Sequence, residues 1–167
     1  MEYLSRTFIE YLTSTIKPIQ PYIHPTWWTQ IVHMDISSNK NKAKKHYNQT
    51  TKDSNTIYIY TDGSGFNSHI SAAAFYSTIS ETHKQYIGPD TNYNTYAVEL
   101  TAIELAADIT QFALQIYKQS VIYMDSQPTI KATAKPVQHS GQAILTSVLD
   151  AFESVQQQNS RIDISLI

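Results

Sequence analysis

Three carboxylates stand out by their surroundings. Asp62 and Asp125 are each the first acid after an apolar run, Thr56 to Thr61 and Ser120 to Met124. Glu99 falls between them, one residue before Leu100, in Ala97-Val98-Glu99-Leu100-Thr101-Ala102-Ile103. If both runs are strands joined through a crossover helix, their C-terminal ends lie side by side, where open α/β sheets place their sites. Three acids at one sheet end repel one another and are costly to keep ionised without a cation. Oxygen-only ligands favour magnesium or manganese. Two such ions roughly 3.5–4 Å apart activate a water and stabilise the leaving oxygen of a phosphodiester, so no protein nucleophile is needed. That suits a chain with no cysteine, which excludes thiol catalysis, Cys-ligated zinc and disulfides. Singly, each acid has a plainer role: Asp62 in a turn before glycine, Glu99 as a half-exposed helix acid, Asp125 as a helix cap. Their joint placement points to a site.

The elements that must hold these acids are legible in the pattern. Thr56-Ile57-Tyr58-Ile59-Tyr60-Thr61 is β-branched and aromatic throughout, a strand running into a turn at Asp62-Gly63-Ser64-Gly65. His69 to Ser77 and Thr82 to Ile87 read as two more strands, separated by Thr78-Ile79-Ser80-Glu81 and closed by Gly88-Pro89, so that the three form a meander. Tyr96, Leu100, Ile103 and Ala107 recur at helical spacing, which predicts a helix over Tyr93 to Gln111 that packs on the sheet. Ser120 to Met124 is a nearly continuous apolar run, the pattern of a strand buried on both faces. A short helix from Pro128 to about Ala134 follows, then a longer one from Ser140 with Ile144, Leu145, Val148, Leu149, Phe152 and Val155 on its apolar face. Arg161 to Leu166 alternates like a last strand. The order βββαβααβ predicts an α/β fold with one mixed five-stranded sheet, an antiparallel meander extended by parallel strands, and helices packed on it.

Upstream, Leu4, Phe8, Tyr11 or Leu12, and Thr15 or Ile16 suggest an amphipathic helix over Met1 to Lys17, ended by Pro18 and Pro21. Pro18 to Asn55 reads as connector: three prolines, the pair Trp27-Trp28, then a polar stretch rich in Lys and Asn. The expected division is therefore 1–55, helix and connector, and 56–167, the domain that carries the carboxylates. Hydrophobic residues at 41% against 16% charged argue for a folded chain of 167 residues with room for one domain and an appendage. The first residues mix Glu2, Arg6 and Glu10 with apolar positions, so neither a signal peptide nor a membrane segment is read and an intracellular location is expected. A net charge of −2 is unhelpful for holding a polyanion by bulk charge, so any such binding must rely on local patches. Yet Lys40, Lys42, Lys44, Lys45 and Lys52 crowd into one stretch that is either a phosphate-binding patch or a solvated linker.

The motifs resemble the type I ribonuclease H family, in particular the ribonuclease H domain of LINE-type (non-LTR) retrotransposon polyproteins. The residues that carry the resemblance are Ile59-Tyr60-Thr61-Asp62-Gly63-Ser64-Gly65, Tyr96 to Ile103, and Met124-Asp125-Ser126-Gln127, in the family's order and spacing. It covers about Thr56 to Ile167, with a weaker echo at Pro25-Thr26-Trp27-Trp28 in the segment that joins reverse transcriptase to ribonuclease H in such elements, and another at Ser140-Gly141-Gln142. The resemblance implies metal-dependent hydrolysis of the RNA strand of RNA/DNA hybrids. It casts Asp62, Glu99 and Asp125 as ligands of Mg2+ or Mn2+, and an origin beside a reverse transcriptase domain. Ser126 and Gln127 become candidate contacts to the hybrid's minor groove, where 2′-hydroxyls mark RNA, with Gly63 and Ser64 beside the substrate. As an ordinary helix start, Ser126-Gln127 has an equally good plain explanation.

Two departures from the family qualify this. Ser68 and Ser71 stand at positions like the family's glycines, so the first turn is expected to be stiffer or shifted. The family also continues into a histidine-bearing loop and a last helix with a fourth carboxylate, which this chain lacks, and neither His139 nor Asp163 stands at a replacing position. The domain is therefore expected to be truncated at its C-terminal side, with the two-ion site incomplete and part of one sheet face uncovered, a patch for the N-terminal helix to cover. The rival reading from another class is a catalytically inactive retroelement remnant or a module that binds hybrid or duplex without cutting. An aspartyl-nucleophile phosphatase needs an acid where Tyr60 stands, and actin-like ATPases need two such domains.

Overall fold

The computed structural model describes residues 32–37, 39–50, 53–76, 81–113, 116–136, 142–158 and 163–166. The helix expected over Met1 to Lys17, the Trp27-Trp28 pair, Lys52, His139 and Ser140-Gly141 lie outside the described residues. In chain order the elements are β1 (His33–Met34), α1 (Lys40–Thr50), β2 (Thr56–Phe66), β3 (His69–Tyr76) and β4 (Glu81–Pro89), then α2 (Thr95–Ala113), β5 (Gln119–Tyr123), α3 (Gln127–Ala134), α4 (Gln142–Gln158) and β6 (Asp163–Leu166).

The strands form one sheet in the order β1-β6-β5-β2-β3-β4. β2, β3 and β4 pair antiparallel as a meander, whereas β5 runs parallel to β2, β6 parallel to β5, and β1 parallel to β6. This is the mixed sheet, an antiparallel meander extended by parallel strands, that the element order implies, with a sixth, two-residue strand added at one edge. Ile57, Ile59 and Ile122 turn their side chains to one face, where they are fully buried against Ile103, Ala106 and Ala107 of α2, Ile130 of α3, and Val148, Phe152 and Val155 of α4. Alanines at 97, 102, 106 and 107 line the buried side of α2, and their small side chains let the helix lie close to the strands. Asn94 starts α2: its Oδ1 accepts the Ala97 N–H at 2.9 Å, satisfying a donor that has no partner within the helix.

Three expectations are corrected. Asp62-Gly63-Ser64-Gly65 is not a turn but part of β2, because each residue has a ladder partner in β3: Ala73, Ala72, Ser71 and Ile70. The chain reverses later, at Asn67 and Ser68, both left-handed with φ of 49° and 60°. β5 is not buried on both faces. Ser120 and Ile122 are buried, but Gln119 is exposed and Val121 and Tyr123 are half-buried, since only one face carries the main helical layer. The stretch read as connector holds a strand and a helix. Val32, 3% exposed, joins the core, with Met34 and Ile36 packed against it. A two-residue strand and a lysine-rich helix leave no apolar period to detect, which is why the sequence pattern passes them by.

Candidate active site

Each of the three carboxylates is carried by a different element. Asp62 stands in β2 beyond the stretch that pairs with β5, which ends at Tyr60↔Tyr123. Asp125 follows β5 by two residues, immediately before α3, so the parallel register of β2 and β5 brings the two aspartates to the same end of the sheet. Both are exposed. Glu99 comes from the second turn of α2 and is 7% exposed. Burial pushes its carboxyl above the usual carboxylate range, and the charges of Asp125 and then Asp62 push it further in the same direction. Its Oε2 is buried and receives no hydrogen bond.

Gly63 makes this approach possible. A Cβ on Gly63 would sit 2.8 Å from Val98 Cγ1 and 3.1 Å from Glu99 Oε1, so any side chain there would push α2, and Glu99 with it, away from β2. Next to it, Ser64 is exposed. Ser126 stands at the N-cap of α3. Its carbonyl accepts the N–H groups of Thr129 and Ile130 at 3.1 Å each, and its hydroxyl meets the Thr129 hydroxyl at 2.6 Å. Gln127 opens α3 with an exposed side chain. The site residues named from the sequence are thus strung along one end of the sheet, on β2, α2 and the β5–α3 junction.

The donors fit a hard divalent cation in kind: all are carboxylate oxygens, and one of them is buried without a partner. Among the described residues, no three acidic or histidine side chains are drawn close enough together to hold a metal ion in the arrangement seen. Electrostatic range and ligation range differ, and the three acids are within the first.

No protein-family model matches the chain, and no curated protein matches it. Among solved structures it is similar to ribonuclease H1 of the halophilic archaeon Halobacterium salinarum, with 14% identity and a TM-score of 0.48 over 67% of this chain and 85% of that one. It is also similar to a ribonuclease H1 isolated from compost by a metagenomic approach, with 17% identity and a TM-score of 0.48 over 68% of this chain and 84% of that one. A third is the N-terminal ribonuclease H domain of a Mycobacterium tuberculosis protein, with 18% identity and a TM-score of 0.45 over 67% of this chain and 86% of that one.

One group beside the carboxylates was not read from the sequence. On the sheet face opposite the main helical layer, the rings of Tyr60 and Tyr123 stack at 5.4 Å, Tyr58 stacks on Tyr123 at 6.5 Å, and Tyr47 of α1 meets Tyr60 and Tyr123 edge-on at 6.1 and 5.4 Å. The Tyr60 hydroxyl donates to the Tyr47 hydroxyl at 3.2 Å. Burial first, and then this bond and the neighbouring phenols, push the Tyr60 phenol upward, so it stays neutral. The signal was present as alternation, with Tyr58 and Tyr60 on one face of β2, but their partner Tyr47 lies in the stretch read as connector. Among the described residues, no helix is long and apolar enough to cross a membrane.

Proposed function

We propose that this chain hydrolyses the RNA strand of RNA/DNA hybrids, with Asp62, Glu99 and Asp125 holding magnesium or manganese. The observation that carries the proposal is Glu99, a carboxylate raised first by burial and then by the charges of Asp125 and Asp62, and left with an unbonded buried oxygen. A polar atom in that state is costly to bury, and a divalent cation offsets both the missing bond and the repulsion. When bound, such ions supply an activated water and charge stabilisation for the leaving oxygen of a phosphodiester. The chain's own residues position the groups. Gly63 lets β2 and α2 approach each other, the β2–β5 register brings Asp62 and Asp125 to the same end of the sheet, and Ser126 caps the start of α3 next to Asp125. Exposed Ser64 and Gln127 flank the acids and are suited to contact the hybrid's sugars, whose 2′-hydroxyls distinguish RNA from DNA. The assignment to the LINE-type branch, beside a reverse transcriptase, is supported by Ser140-Gly141-Gln142 and Pro25-Thr26-Trp27-Trp28, beside the family motifs at residues 59–65, 96–103 and 124–127.

A second reading is favoured by one specific observation. Since the three acids do not form a ready ligand cluster among the described residues, the chain would hold hybrid or duplex without cutting it.

The deciding experiment is cleavage of an end-labelled RNA/DNA hybrid with magnesium or manganese, run beside Asp62→Asn and beside duplex DNA of the same sequence. The expected result is cleavage of the RNA strand alone, abolished by EDTA and reduced by orders of magnitude in the variant. A folded wild-type chain that leaves the RNA intact with either metal overturns the proposal in favour of binding without turnover.

A further inference from the structure

Helix α1 carries more positive charge than its surroundings explain. Its sequence, Lys-Asn-Lys-Ala-Lys-Lys-His-Tyr-Asn-Gln-Thr, contains no acid. Lys42, Lys44 and Lys45 are exposed, and among the described residues none has a carboxylate within ion-pair distance. Like charges three residues apart, Lys42 with Lys45, oppose helix formation. What holds the helix is at its two ends. Asn39 caps the first, accepting the Lys42 N–H at 2.9 Å, and Tyr47 anchors the last turn on Tyr60 and Tyr123.

That anchor fixes where the charge lies. Tyr60 precedes Asp62 by two residues and Tyr123 precedes Asp125 by two, each roughly 7 Å of extended chain. Lys44 and Lys45 precede Tyr47 by three and two residues, about 3–4.5 Å of helical rise. The lysines therefore lie within one helical turn of an anchor on the two tyrosines that precede Asp62 and Asp125, on the face that the main helical layer leaves open. Acids and lysines set apart in this way suit a ligand that is itself polyanionic and longer than one residue: one phosphate at the acids through a cation, and others along the lysines.

We infer that α1 is an arm that grips the phosphate backbone of the nucleic acid acted on at Asp62, Glu99 and Asp125. This rests on the proposed function, and the experiment separates the two. A fluorescently labelled RNA/DNA hybrid is titrated with the full chain by anisotropy at several salt concentrations. The wild type is compared with Lys44→Gln/Lys45→Gln and with Lys84→Gln/Lys118→Gln, a pair that removes equal charge from exposed positions on β4 and before β5. The α1 pair is expected to weaken binding about tenfold and to lower the slope of log K against log salt by about 2, since each phosphate contact contributes about 0.9. The control pair leaves the slope unchanged. Tyr47→Ala, which removes the anchor and no charge, also weakens binding, whereas Tyr47→Phe, which keeps the ring, restores it. Equal slopes for wild type and the α1 pair overturn the inference while leaving hybrid cleavage untouched. A wild type that binds no hybrid at low salt overturns both.

Discussion

Ser68 illustrates what one side chain costs in a tight hairpin. Asn67 and Ser68 both have positive φ, and asparagine tolerates that region far better than serine. Ser68→Gly is expected to stabilise the chain by about 1 kcal/mol, by the left-handed penalty for a residue with a Cβ, measured as a higher urea midpoint at constant slope. Glu99 offers a test of a different kind. Its folded carboxyl titrates above the unfolded value of 4.5. A group raised on folding contributes stability that is complete below the unfolded value and is lost as pH rises through the folded one. In metal-free buffer, Glu99→Gln should therefore have a higher Tm than wild type at pH 7. The gain should shrink to nothing as pH falls below 4.5. A gain independent of pH would mean that charge is not its cause.

Between elements, the joint of α2 with β5 is a buried pair of hydroxyls that sets the strand preceding Asp125. Thr110 Oγ1 donates to the Ala106 carbonyl at 2.9 Å and lies 2.9 Å from Ser120 Oγ, with both residues 0% exposed. A threonine hydroxyl has one proton, so with that proton on Ala106 it is Ser120 that donates to Thr110. The consequence is an asymmetry. Thr110→Val strands the Ser120 hydroxyl in the core and costs about 1–3 kcal/mol, the usual penalty for an unsatisfied buried donor, whereas Ser120→Ala costs about 0.5–1.5. The double variant should be no less stable than Thr110→Val, because the stranded group is gone. Thermal unfolding of the three variants reads the cycle directly; a larger cost for Ser120→Ala than for Thr110→Val would overturn the assigned donor.

At the scale of the whole molecule, residues 33–34 extend the sheet at one edge. β1 pairs with β6 through His33↔Ser165 and Met34↔Leu166, and Val32 enters the main core. On the opposite face, α1 rests on the tyrosines, so the apolar area expected to lie open is in part covered by a helix from residues 40–50. Val32→Ala is expected to cost about 1–3 kcal/mol, by the large-to-small scale for core residues, with a lower urea midpoint. A plain connector predicts no change, and that result would remove residues 32–34 from the folding unit.

How much of this was legible follows from the kind of signal each part leaves. β2, β3, β5 and α2 to α4 announce themselves through period and β-branching, and the three acids through their positions after strands and on a helix, because local sterics and burial act on neighbouring residues. The sequence alone thus determined the order of the elements from β2 onward, the meander and the parallel partner, and it singled out Asp62, Glu99 and Asp125 as candidates. It misread Gly63 as a turn glycine, since close approach of α2 is a contact with residues 35 and 36 positions away that no local pattern records. It missed β1, α1 and the Tyr47–Tyr60–Tyr123 cluster, because their partners lie far along the chain and only packing brings them together. Tertiary structure alone decided that Glu99 is buried while Asp62 and Asp125 are exposed, and that α1 meets the tyrosines of β2 and β5 through Tyr47, since burial and contacts between distant residues exist only once the chain is folded.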